Sequence, residues 1–378
     1  MRFDKLRKFQ DELTSGTIPG NDCIIKENNK TIYRYTSGYA DVEDKRPVEG
    51  NELYFLWSAT KPVTTALGLK LYEDGKLSMD TPLSYYLPEY EKMTKKIQVS
   101  GKEEIVPVKN EILVKHLFTM TSGMCYDFKT DSILRVGRET HGDYDTVKVA
   151  RAVADTPLLS EPGECWCYGM SHDVLAAVIE LVTGKRLRDH AQEVLFEPLG
   201  MEDTSYNLPE SGKMGRMATQ YSYMPDRKTY VRAHSCNHIL GPKYDSGGAG
   251  IISTCEDFSK FADMIATGRS ENGFSFLKPE TIDLWRTNVL SRDQIEKSYV
   301  WESTKGYGYG YGVRTLMDPE KAGTPLSPPG EFGWGGAAGT WIVMEPIKKL
   351  SLVYFQHMLN SDDAYIVRQL TKFMYEEL

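Results

Sequence analysis

The sequence predicts an α/β (α+β) fold, in which one sheet is covered by terminal helices and interrupted by a mostly helical insertion. Strand signals cluster towards both ends of the chain and fade through the middle. An amphipathic helix opens the sequence and another closes it. Strands at both ends around a helical middle are what an interrupted sheet requires. The expected boundaries are a discontinuous sheet domain over 1–75 and 245–378 and a mostly helical domain over 76–244, with the active site in the cleft between them.

Phe3, Leu6, Phe9 and Leu13 recur at helical spacing over residues 3–13. Cys23-Ile24-Ile25 and Thr31-Ile32-Tyr33 flank Asn28-Asn29, a hairpin signature. A helix of about four turns begins near Ser58, because Pro62 is tolerated only in a first turn, and it stops at Asp74-Gly75. The lysines from Lys92 to Lys102, with Glu103 and Glu104, read as a solvated loop. Glu111–Thr121 reads as a helix, and Ser171–Thr183 as another, capped by Ser171 and stopped by Gly184. Gly306 to Gly312 alternates glycine with tyrosine, as in a strand packed closely against another backbone. Thr340–Met344 and Leu350–Phe355 flank Glu345-Pro346 as a second hairpin. Ile366, Leu370, Phe373 and Met374 mark the closing helix.

The 378 residues are two or three domains' worth of chain. A formal charge of −8 with interspersed signs offers no basic patch for nucleic acid. Met1–Lys8 is too charged for a signal-peptide core, and no apolar run reaches membrane-spanning length. Six cysteines then read as reduced thiols, with Cys165-Trp166-Cys167 structural rather than metal-binding. The expected setting is the cytoplasm, with neither membrane nor nucleic acid as partner and the oligomeric state open.

Ser58 and Lys61, in Trp57-Ser58-Ala59-Thr60-Lys61-Pro62, put a hydroxyl and an amine three positions apart at a helix start, where i and i+3 share a face. A desolvated amine there can act as the base that makes the serine nucleophilic. Ser275-Phe276-Leu277-Lys278 has the same spacing but leads into a loop, so it reads as structural. Gly333-Trp334-Gly335-Gly336-Ala337-Ala338-Gly339-Thr340 is a glycine-rich strand entry along which a substrate could lie, or a simple bulge. Tyr168 could carry a proton but is one of 23 tyrosines. His234 and His238, without a nearby carboxylate, read as ordinary polar residues.

Together these residues resemble the serine β-lactamase and penicillin-binding protein superfamily, and within it the branch holding class C β-lactamases and family VIII carboxylesterases. Ser58-Ala59-Thr60-Lys61-Pro62 matches the S-x-x-K motif. Leu71 to Asp80, Tyr86-Leu87-Pro88, Val114-Lys115-His116-Leu117 through Thr121-Ser122-Gly123, and Ile252-Ser253-Thr254 with Asp257 match further blocks. Tyr168-Gly169-Met170 stands where the family has Tyr-x-Asn. Trp334-Gly335-Gly336 occupies the place of Lys-Thr-Gly. The resemblance implies an antiparallel sheet of the β-lactamase/transpeptidase type. It further implies Ser58, Lys61 and Tyr168 as catalytic residues and the amides of Ser58 and Ala337 as the oxyanion hole. Trp334, Gly335, Gly336 and Met170 would contact substrate. Met170 and Trp334 replace an amide and a cation, which favours neutral acyl substrates over anionic ones. The function expected is a serine esterase acting on a small ester or amide, with no metal or organic cofactor required. The alternatives are a β-lactamase or D-amino-acid peptidase, and a non-catalytic binding protein of the same fold.

Overall fold

Strands from opposite ends of the chain meet in one antiparallel sheet of eight strands. The computed structural model describes residues 2–206, 211–233 and 240–378. Strands β1 (Gly20–Glu27), β2 (Lys30–Asp41) and β3 (Arg46–Pro47) form one side of this sheet. The other side runs through Leu350–Gln356, Trp341–Glu345, Phe332–Gly335, Arg314–Leu316 and Tyr307–Tyr309. The seam pairs β1 with Leu350–Gln356, Cys23 opposite Tyr354 and Ile24 opposite Val353. Asn28 (φ 47) and Asn29 (φ 68) close the first hairpin in the left-handed conformation that asparagine tolerates.

Alternation along the strands decides which core each side chain enters. Cys23, Ile25, Leu352 and Tyr354 pack under helix α1 (Asp4–Thr14) and the closing helix Asp363–Glu377, against Leu6, Phe9, Ile366 and Leu370. Ile24, Val353 and Phe355 face the other way and join Phe258 and Phe261 of the Cys255–Thr267 helix. Helix α2 (Lys61–Glu73) lies deeper, buried over most of its surface from Lys61 to Leu71, and ends at Gly75 (φ 70). Gly68 is where Phe118 crosses it, with a Cβ there only 2.6 Å from that ring.

The middle of the chain is less helical than its sequence predicts. Lys92 to Glu104 is not a loop: Thr94–Val99 pairs with Lys102–Pro107 as an antiparallel hairpin. Lys96 and Glu103 pair across its exposed face at 3.0 Å, and such charges hide the alternation. Short strands also form at Ser205–Tyr206, Tyr221–Met224 and Thr229–Arg232. The helix expected over Glu111–Thr121 shrinks to Val114–Phe118. The Ser171–Thr183 helix stops at Gly184 (φ 68) as expected, but Ser171 does not cap it. The cap position is Met170, and the Ser171 hydroxyl instead bonds that of Ser122 at 2.8 Å. Ser275 lies in a loop. His234 and His238 lie outside the described residues.

Candidate active site

Ser58 sits in a short 3-10 turn, Trp57–Thr60, that runs straight into α2. The turn is fixed from both sides. The Leu56 amide donates to Ile251 O at 3.0 Å, and Leu56 O accepts from the Thr340 hydroxyl at 2.8 Å. Trp57 is held at φ 49, a left-handed conformation costly for a bulky residue, while its indole N–H bonds Gln220 Oε1 at 2.9 Å. One residue later the Ser58 hydroxyl is partly exposed.

Lys61 is completely buried. Its Nζ donates to Ser58 Oγ at 3.1 Å and to Gly248 O at 2.8 Å. The same nitrogen lies 4.5 Å from the ring centre of Tyr168 and 5.5 Å from that of Tyr126, which stack on one another. Tyr168 Oη accepts from the Trp334 indole at 3.3 Å. Trp301 packs edge-on to Tyr168, with centroids 5.1 Å apart. Serine, amine, phenol and indole therefore form one contiguous set drawn from three separate stretches of chain.

Beside Ser58, the strand Phe332–Gly335 ends in a tight turn whose hydrogen bonds run from Gly336 N to Thr340 O (2.7 Å) and from Gly339 N to Gly336 O (2.8 Å). The Ala337 amide lies outside both bonds. Gly336 is obligatory there, because a Cβ would stand 2.0 Å from Leu56 O. A cleft of about 350 Å³ opens over this arrangement. Ser58, Tyr168, Gly335, Gly336 and Ala337 line it, with Trp301, Trp334 and Trp341 as walls and Glu302 and Asp363 as its charged groups.

The site is electrostatically enclosed. Burial holds the His172 imidazole well below its ordinary range and therefore neutral. Burial, then the Asp173 carboxylate, holds the Tyr126 phenol well above its own. Among the described residues, no group of three or more His, Cys, Asp or Glu is placed to hold a metal ion. No helix there is long and apolar enough to cross a membrane.

Seven of the eight residues singled out from the sequence come together here. Met170 does not: it is 1% exposed, packs into the main core, and is not among the residues lining the cleft. Its apolar side chain follows the core, whereas the family's asparagine would need a polar partner. Tyr126, Trp301 and Asp173 are neighbours the sequence reading missed. The Asp245-Ser246-Gly247-Gly248 run could have signalled a close backbone approach, since a Cβ at Gly248 would lie 2.6 Å from Asp173 Oδ2.

Comparison with known proteins gives this geometry a lineage. A solved structure titled EstCE1, a hydrolase with promiscuous acyltransferase activity, superposes with a TM-score of 0.79 at 24% identity, covering 97% of this chain and 98% of its own, which speaks for the fold. Esterase EstB of Burkholderia gladioli is 30% identical over 360 residues, covering 89% of this chain and 85% of the relative. Lovastatin esterase of Penicillium rubens is 29% identical over 286 residues, covering 73% and 70%. The Beta-lactamase family model matches residues 6–370, and the chain belongs to that family.

Proposed function

We propose that this chain is a serine carboxylesterase that hydrolyses small neutral esters through an acyl-serine intermediate. The observation that carries the reading is the buried Lys61 amine 3.1 Å from a partly exposed Ser58 hydroxyl at the floor of an aromatic cleft. Relatives named as esterases support the reaction class. In this reading Ser58 attacks the ester carbonyl and its proton passes to Lys61 Nζ. The Ser58 and Ala337 amides hold the oxyanion. Tyr168 delivers a proton to the leaving alcohol, and in deacylation it helps a water molecule lose one. The cleft would lie between the sheet domain (1–75 and 245–378) and the insert (76–244), since Tyr168 comes from the second and the other lining residues from the first.

The lining residues include no lysine, arginine or histidine, so a substrate carboxylate would shed water without meeting a cation. A charge-assisted hydrogen bond contributes roughly 1.5–3 kcal/mol, so its absence should cost a carboxylated lactam about ten- to a hundredfold in kcat/KM. The test begins with a fluorophosphonate: an adduct at Ser58 is expected by intact mass, and its absence would favour a binding protein. Next, kcat/KM is compared for a short-chain p-nitrophenyl ester and a chromogenic cephalosporin. The ester should win clearly, and Trp334→Lys should narrow the ratio. A cephalosporin that outperforms the ester would promote the β-lactamase alternative.

A further inference from the structure

Asp173 lies in the first turn of the Ser171–Thr183 helix and is 2% exposed. Its Oδ1 accepts from the Tyr244 hydroxyl at 2.7 Å and the Ser246 hydroxyl at 2.6 Å. Its Oδ2 is buried and has no hydrogen-bond partner among the described residues. That oxygen faces the position where Gly248 lacks a side chain: a Cβ there would stand 2.6 Å from Oδ2 and 3.5 Å from Lys61 Nζ. Carboxylate and amine thus both lie close to one point, and Gly248 O accepts from the same Nζ. A positive charge arriving on Lys61 would be stabilised by a buried carboxylate held in this way.

We propose that Asp173 is a positioning residue, the counter-ion that stabilises the Lys61 ammonium formed when Ser58 gives up its proton. The proton leaves Ser58 Oγ and arrives on Lys61 Nζ, which becomes the cation that the Asp173 carboxylate faces. Two hydroxyls on Oδ1 fix the group and leave Oδ2 to carry the field. Gly248 keeps the space between the charges clear. The other titratable groups around the pair are phenols or already paired. Tyr126 and Tyr168 offer ring faces to Nζ, and Tyr206 and Tyr244 are buried phenols. His172 is held neutral, and Asp245 is engaged by Arg186 and Arg188. Asp173 is therefore the buried carboxylate left facing Lys61.

This inference rests on the Ser58–Lys61 reading, which the fluorophosphonate adduct on wild-type protein tests separately. The direct test is Asp173→Asn, which keeps shape and an acceptor for both hydroxyls while removing charge. Expected are a fall of up to about tenfold in the plateau kcat with little change in KM and, because the ammonium loses its counter-charge, an acid limb of kcat/KM shifted to lower pH by up to about one unit. A carboxylate that merely braces the Tyr244–Ser246 loop would not move that limb, so an unmoved limb in folded Asp173→Asn protein overturns the proposal. If that variant fails to fold, Tyr244→Phe strips one donor from Oδ1 and leaves the charge less neutralised. Its acid limb should rise in pH, and an unmoved limb there is equally fatal.

Discussion

Lys61 shares its surroundings with no solvent, so the neighbouring side chains decide what its nitrogen can do. If it receives the serine proton it must be able to become neutral, and arginine does not deprotonate in proteins. Lys61→Arg is therefore expected to lose about 10³-fold or more in kcat, about 4 kcal/mol of barrier, although the charge is kept. Activity within tenfold of wild type would remove Lys61 from the base role. At this scale the sequence was informative wherever chemistry is local. Ser58 and Lys61 touch because they are three apart on one face, and Pro62 pins the turn that presents them. Asp173 and Tyr126 were illegible because their relation to Lys61 runs through tertiary packing. The left-handed Trp57 was illegible too, since only Gln220, far along the chain, reveals what holds it. Met170 was misread for the converse reason: a family position was taken for a contact, while its apolar side chain follows the core.

Among the elements, the turn after Phe332–Gly335 has the least freedom. Its glycine at 336 lies against the carbonyl of Leu56, two residues before Ser58, so the strand end and the Ser58 turn cannot approach each other independently. Gly336→Ala should push the turn away from Ser58 and carry the Ala337 amide with it. A displacement near 1 Å in a catalytic array can cost about 10²-fold, and a loss of that order in kcat is expected. Parallel measurement of Tm separates this from unfolding; kcat within threefold of wild type would show that the turn relaxes without consequence. Elements were legible where turn chemistry announced them, as at Asn28-Asn29 and Glu345-Pro346. They were not where charge masks the pattern: Ile97, Val99 and Ile105 alternate in the Thr94–Pro107 hairpin, but surrounding lysines and glutamates make the segment read as solvated.

For the whole molecule, the buried Glu331 sets a pH dependence that its surroundings predict. Burial pushes its carboxyl up to about 7 from an ordinary 4.5, and the Arg314 charge offsets only part of that. Folding then favours the protonated form, so this stabilisation is complete below pH 4.5 and is lost as pH rises through about 7. Glu331→Gln stays neutral throughout. Its stability relative to wild type should improve between pH 4.5 and 8 by an amount on the order of 3 kcal/mol. Thermal melts of both proteins across that range check it; a Tm difference that does not vary with pH would contradict it. The sheet and its terminal helices were legible at this scale because strand periodicity survives burial, whereas the pairing order of distant strands leaves no mark in the sequence. That order has a consequence during synthesis. β1, already paired with β2, finds its second neighbour only when Leu350–Gln356 has left the ribosome. At about 5–20 residues per second, the first hairpin waits on the order of tens of seconds with an open edge, ready to pair with another nascent chain. Expression yield should therefore respond to chaperone supply and growth temperature, and chains ending before Leu350 should accumulate as aggregates.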